Sequence, residues 1–238
     1  MKNKTISEIP GPSGEGEKDF GIWNDSDVTG AEDRVIKPNQ WGAMGAKVFK
    51  AFSPTHSKLP AGCYSVTLDN RDDTPIFVGK YVKSDKITRF KDCLADTVLK
   101  EIGVFWGREK LFIDHGFLHR RGYLLYGAQG VGKSSMIWQV AQDVIERGGV
   151  VLVCDNPKFF SEGLRVFRQV EPRRPVVCVF EDIDAIIKKY GEAEILALLD
   201  GDNQVDRVIN LASTNYPETL DKRIVSRPRR FDRIYKVL

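Results

Sequence analysis

No apolar run in this chain is long enough to cross a membrane. Stretches such as VVLVC, residues 150–154, fall far short of the roughly 18 residues a spanning helix needs. The first twenty residues, MKNKTISEIPGPSGEGEKDF, hold no apolar segment of the signal-peptide kind. Excess charge is lacking too. A formal net charge of +3 over 238 residues gives bulk electrostatics no reason to favour nucleic acid or a membrane surface. Cysteine is scarce: Cys63, Cys93, Cys154 and Cys178 form no CxxC pair and no metal-ligand spacing. Cys154 and Cys178 lie in apolar runs, where a buried, reduced thiol is the ordinary state. These absences point to a soluble, cytoplasmic protein with no membrane partner.

Apolar residues make up 42% of the chain, enough for a substantial core. Residues 1–40 are rich in Gly, Pro and charge and read as a flexible arm, although Trp23 and Trp41 are unusual in such a segment. Residues 41–90 read as a small β-rich domain, because AGCYSVTL, the polar turn DNRDDT and PIFVGKYV have the pattern of a hairpin. From residue 91 to 238 helical and apolar segments alternate. Phe90, Leu94, Val98 and Ile102 form a helical stripe. Apolar runs follow at 123–126, 150–154, 176–180 and 207–214, with helical stretches at 133–147 and 193–199. Nearly continuous apolar strands alternating with helices indicate an α/β fold, a parallel sheet covered on both faces.

The strongest signal is GYLLYGAQGVGKSSMIWQVAQDVI. Gly127, Gly130, Gly132, Lys133 and Ser134 fit G-x-x-x-x-G-K-[ST], with a strand before and a helix after. In that context the backbone from Gly127 through Ala128, Gln129, Gly130, Val131 and Gly132 to Lys133, Ser134 and Ser135 cradles phosphates. Lys133 would reach the β- and γ-phosphates of ATP, and the Ser134 hydroxyl would ligate Mg²⁺.

VVCVFEDID ends a second apolar run in carboxylates. Glu181 is expected on the metal side and Asp182 beside the attacking water, although either carboxylate could take either task. Alone, the stretch would read as a buried strand followed by an acidic helix cap. Asn215, at the end of the next strand, could bond the water or the γ-phosphate. Arg227 and Arg230, three apart in RIVSRPRRFDR, suit phosphoryl-transfer charge, from this subunit or a neighbour. A solvated basic segment, or one touching nucleic acid, is the other reading of those arginines.

Together GYLLYGAQGVGKS, VVCVFEDID and LASTNYPETLDKRIVSRPRRFDR resemble the phosphate loop, second acidic motif and second region of homology of the AAA ATPases. RRGYLLYG and the Glu–Asp order are similar to the branch of the mitochondrial chaperone that moves the folded Rieske iron–sulfur protein. The resemblance implies a P-loop NTPase fold and a homo-oligomeric ring of six or seven subunits with ATP and Mg²⁺ at the interfaces. It also implies a γ-phosphate sensor at Asn215 and arginine fingers at Arg227 and Arg230. Phe159 and Phe160, in DNPKFFSEG, fall where family members place a pore loop; two core phenylalanines are the alternative. GAQGVGK departs from the family's usual proline-containing loop, and the residues up to Leu238 leave no room for the helical lid that usually follows: either the sequence is cut short there, or hydrolysis and assembly are organised differently. The expected function is an ATP-hydrolysing ring that remodels or threads a protein, recognised with any adaptor through residues 1–90. A nucleic-acid ATPase or loader, which the near-neutral charge disfavours, and a nucleotide-switched scaffold with slow hydrolysis remain the alternatives.

Overall fold

The computed structural model describes residues 40–45, 48–52, 56–70, 73–80, 94–200, 205–225 and 230–238. The flexible-arm reading of residues 1–40, Trp23, Phe90, Cys93 and Arg227 therefore falls, all but Gln40, outside the described residues. The chain divides into two units, 1–56 and 57–238. In the first, β1 (Gln40–Gly45) pairs antiparallel with β2 (Val48–Phe52), from Gln40 opposite Phe52 to Gly45 opposite Val48.

The second unit is built on a seven-stranded sheet. Its strands are β3 (Gly62–Leu68), β4 (Pro75–Gly79), β5 (Arg120–Tyr126), β6 (Val150–Val153), β7 (Val176–Phe180), β8 (Val208–Thr214) and β9 (Arg233–Lys236). They run in the spatial order β4-β3-β6-β7-β8-β5-β9, and every pairing except β3–β4 is parallel. All residues of β6, β7 and β8 are buried, which explains why they read as continuous apolar runs.

Helices α1 (Leu94–Trp106) and α3 (Lys133–Glu146) cover one face, where Phe105, Tyr123, Ile137, Val140, Val177 and Leu211 meet. On the other face lie α4 (Pro157–Val170), α5 (Ile183–Tyr190), α6 (Glu192–Asp200) and α7 (Lys222–Val225). There Phe160, Leu164, Phe180, Ile183, Leu199 and Ile224 interlock. A short helix α2 (Glu109–Asp114) leads into β5. The thiols of Cys63 and Cys178 are buried, which pushes both pKa values up to about 12.

One domain boundary needs correction. The hairpin of residues 62–79 belongs to the main sheet: β3 lies parallel to β6, with Cys63 opposite Val151, and β4 forms the edge. The hairpin pattern marked these strands, but it carries no information about which sheet they join. Helix α4 packs onto β3 so closely that a β-carbon on Gly163 would lie 2.5 Å from a Val66 methyl.

Glycine is required where the chain preceding β9 crosses β5. A β-carbon on Gly122 would lie 1.7 Å from the Arg230 carbonyl oxygen, a backbone atom that no side-chain rotation can move. Gly122→Ala is expected to cost about 3 kcal/mol and lower the melting temperature by about 10 °C. Gly103, in α1 with open space around its α-carbon, is the control. Gly103→Ala should stabilise the chain by about 1 kcal/mol through helix propensity alone. Thermal unfolding of the two variants checks both, and equal melting temperatures would contradict the close approach.

Candidate active site

Strands β7, β8 and β5 are neighbours, so their C-terminal ends open onto one place. β5 stops at Tyr126 and α3 starts at Lys133, leaving residues 127–132 as the loop between them. Gly130 and Gly132 take φ of 85° and 91°, left-handed values that a side chain disfavours. Gly127 is needed for a different reason. A β-carbon there would stand 2.4 Å from the Val237 carbonyl oxygen. Gly132 caps α3 without any side-chain hydrogen bond, so the first amide N–H groups of the helix are not taken up by a cap. Free amides and the positive end of the helix dipole are suited to an anion. The Lys133 ammonium, itself buried, donates to the carbonyls of Gly127 at 2.8 Å and Ala128 at 2.7 Å.

A pocket of about 340 Å³ opens here, lined by Gln129, Gly130, Gly132, Lys133, Ser134, Ser135, Asp182 and Asn215. Of the sequence-predicted residues, the structure thus brings the loop, Asp182 and Asn215 together. Asn215 Nδ2 donates to Asp182 Oδ1 at 3.2 Å. Glu181 is half-buried and stands outside the pocket lining. Ser134 and Asp182 present one hydroxyl and one carboxylate, hard oxygen donors of the kind Mg²⁺ accepts alongside phosphate oxygens and water. A site of this type needs no dedicated cage, and no cluster of three acidic, His or Cys groups occurs among the described residues.

Two neighbours were missed in the sequence. Ser213 Oγ accepts from the Asp182 N–H at 3.1 Å, and Thr214 Oγ1 donates to Asp184 Oδ1 at 2.6 Å. The pair of hydroxyls before Asn215 in LASTN was their signal. Pairing of β7 with β8 ends at Phe180 opposite Ala212, whereas β8 continues to Thr214. These side chains therefore extend the contact beyond the ladder.

The other predicted residues fall elsewhere. DNPKFFSEG is not a loop throughout: α4 starts at Pro157, with Asn156 Oδ1 capping the Lys158 N–H at 3.1 Å. Phe160 is 1% exposed and its ring lies 5.6 Å from that of Phe180, so it belongs to the core and cannot grip a substrate. Phe159, in the same turn, remains partly exposed. Arg230 is also buried, and its guanidinium donates to the Arg223 carbonyl of its own chain. Arginine spacing gave no sign of that burial.

The pattern of the ATPase family associated with various cellular activities (AAA) matches residues 123–237, from β5 through β9. Those residues are an AAA ATPase domain. The domain resembles the mitochondrial chaperone BCS1 of Homo sapiens, 30% identical over 155 residues, covering 58% of this chain and 36% of that protein. It also resembles the proteasome-activating nucleotidase of Methanococcus vannielii, 32% identical over 148 residues, covering 54% and 36%. Protein SAV of Sulfolobus acidocaldarius is 30% identical over 142 residues, covering 52% and 18%. The chain spans about a third or less of the length of these curated relatives. The edge strands β3 and β4 precede the matched residues and extend the same sheet.

Lys133→Ala removes the positive charge from the loop. Affinity for ATP with Mg²⁺ is expected to fall about 100-fold or more, the loss of a charge-assisted contact to phosphate. Titration calorimetry measures this, and unchanged affinity would remove the loop as the binding site.

Proposed function

We propose that this chain couples ATP hydrolysis to the remodelling of a protein substrate within an oligomeric ring. The observation that carries the chemistry is the meeting of Asp182 and Asn215 at 3.2 Å on the wall of the pocket floored by the phosphate loop. In the proposed reaction, loop amides and the Lys133 ammonium hold the β- and γ-phosphates, and the Ser134 hydroxyl faces the metal. Mg²⁺, when bound, supplies neutralisation of phosphate charge. Asp182 accepts the proton of the attacking water, and Asn215 fixes the carboxylate and senses the γ-phosphate. Glu181, just outside the pocket, is assigned the metal's outer water shell.

Two groups complete the site from outside this list. Arg227, from a neighbouring subunit, would stabilise charge in the transition state. Phe159, at the partly exposed start of α4, would touch the substrate. Protein as the substrate is supported by the likeness to a named chaperone and to a proteasome-activating nucleotidase. A cytoplasmic setting and recognition through residues 1–90 belong to the same proposal.

The active site is then shared between subunits, which has a kinetic signature. ATPase rate per subunit is expected to rise with protein concentration. Lys133→Ala and Arg227→Ala should each reduce it by about 100-fold or more. Activity independent of concentration and indifferent to Arg227→Ala would sink the shared site. Separately, Phe159→Ala is expected to retain ATP hydrolysis while losing most substrate processing. Equal processing of an unfolded model protein by this variant and the wild type would remove Phe159 from the substrate path.

A further inference from the structure

Asp182 has an unusual backbone. Its φ and ψ of 47° and 56° are left-handed, one of three such non-glycine residues among those described. This conformation costs most residues free energy, but aspartate and asparagine enter it more readily because their short polar side chains bond locally. Strain of this kind persists where the surroundings fix it.

The surroundings here are the last residues of β8. Beyond Phe180 opposite Ala212, β7 turns away, and the next main-chain N–H to find a partner on β8 is that of Asp182. It donates to a side chain, the Ser213 hydroxyl, in place of a ladder carbonyl. Ser213 is 1% exposed and lies opposite Leu125 of β5, one strand residue before Tyr126 and the phosphate loop. Its alternation with Leu211 puts it on the α3 face of the sheet. Thr214 alternates with Ala212, on the face of α5, where it bonds Asp184 and accepts from the Tyr216 N–H at 3.0 Å. The two hydroxyls thus hold successive parts of one turn from opposite faces.

We infer that Ser213 is a positioning residue for ATP hydrolysis: its hydroxyl holds the Asp182 N–H, keeps that residue left-handed, and so aims the carboxylate at Asn215 and the phosphate pocket. The inference rests on the ATPase reading and on Asp182 acting beside the water. It also gives the Glu–Asp order a physical cause. Position 182 must be left-handed, where aspartate is better tolerated than glutamate, while position 181 continues from the strand.

The test is steady-state ATPase of the full chain. Ser213→Ala should lower kcat on the order of tenfold, the kinetic equivalent of one buried hydrogen bond, with KM for ATP within about twofold. Ser213→Thr keeps the hydroxyl and should restore most of the rate. Ser213→Cys keeps the volume but offers only a weak acceptor, and should behave like alanine. Should the alanine variant unfold, the cysteine variant carries the comparison, with melting temperature as the check. In an Asp182→Asn background, Ser213→Ala should add little, because the carboxylate it aims is gone. An unchanged kcat, a loss carried by KM, or full additivity with Asp182→Asn would each overturn the positioning role. A wild type without turnover removes the ATPase reading and this inference together, whereas an active wild type with an indifferent Ser213→Ala removes this inference alone.

Discussion

Close backbone contact along one edge of β5 is the constraint on which the site depends. At one end of the strand the Arg230 carbonyl lies where a Gly122 β-carbon would be, and at the other the Val237 carbonyl does the same to Gly127. Between them β9 pairs with Tyr123 to Tyr126, and the Val237 N–H donates to the Tyr126 carbonyl at 2.8 Å. Along the opposite edge β5 pairs with β8 over all seven residues, Arg120 to Tyr126. A strand fixed on both sides delivers the phosphate loop at a set position and angle. Only then can the loop carbonyls of Gly127 and Ala128 converge on the Lys133 ammonium. Neutral carbonyls are weaker partners for an ammonium than phosphate oxygens, so the lysine is placed without being committed.

The acidic side of the pocket follows from the same register. Because β8 aligns with β5 to its last residue, Thr214 stands opposite Tyr126, and Asn215 follows immediately beside the loop. β7 is shorter, and its chain turns into α5 through Asp182. The difference in strand length creates the pocket wall, and two hydroxyls on β8 take over where main-chain pairing stops. Asp182 and Asn215 meet because one strand overruns its neighbour, not because either residue is close to the other in sequence.

What the sequence disclosed and what it hid divide along this line. The loop was legible because glycine, lysine and serine at fixed spacing report backbone requirements directly. Strands β6, β7 and β8 were legible because burial on both faces leaves apolar runs. Phe160 was misplaced because two aromatic residues in a row say nothing about which one faces the core. The Asn156–Pro157 pair, a helix start, was the better guide. Arg230 was misplaced because arginine usually signals exposure, and here its guanidinium is buried against a carbonyl. The left-handed turn at Asp182 left no distinct mark, since an aspartate after an apolar strand reads equally well as an acidic helix cap, and the hairpin of 62–79 carried no mark of its partner strand.

That hairpin changes how the N-terminal part of the domain relates to the site. β3 and β4 extend the sheet on the β6 side, next to the connection that leads into α4 and Phe159. The contacts that join them to it include an ion pair between Lys80 and Asp155 at 2.6 Å, the Phe77 ring 6.4 Å from that of Phe167, and the packing of Gly163 on Val66. The ion pair is solvent-exposed and worth less than about 1 kcal/mol. Packing without room for a methyl group is harder to displace, since overfilled contacts cost about 1–3 kcal/mol. Steric fit, more than charge, therefore ties α4 to the edge strands. A shift of α4 along its axis would have to carry β3 with it or open the Gly163 contact, so the edge hairpin acts as a brace for the face of the sheet that carries Phe159.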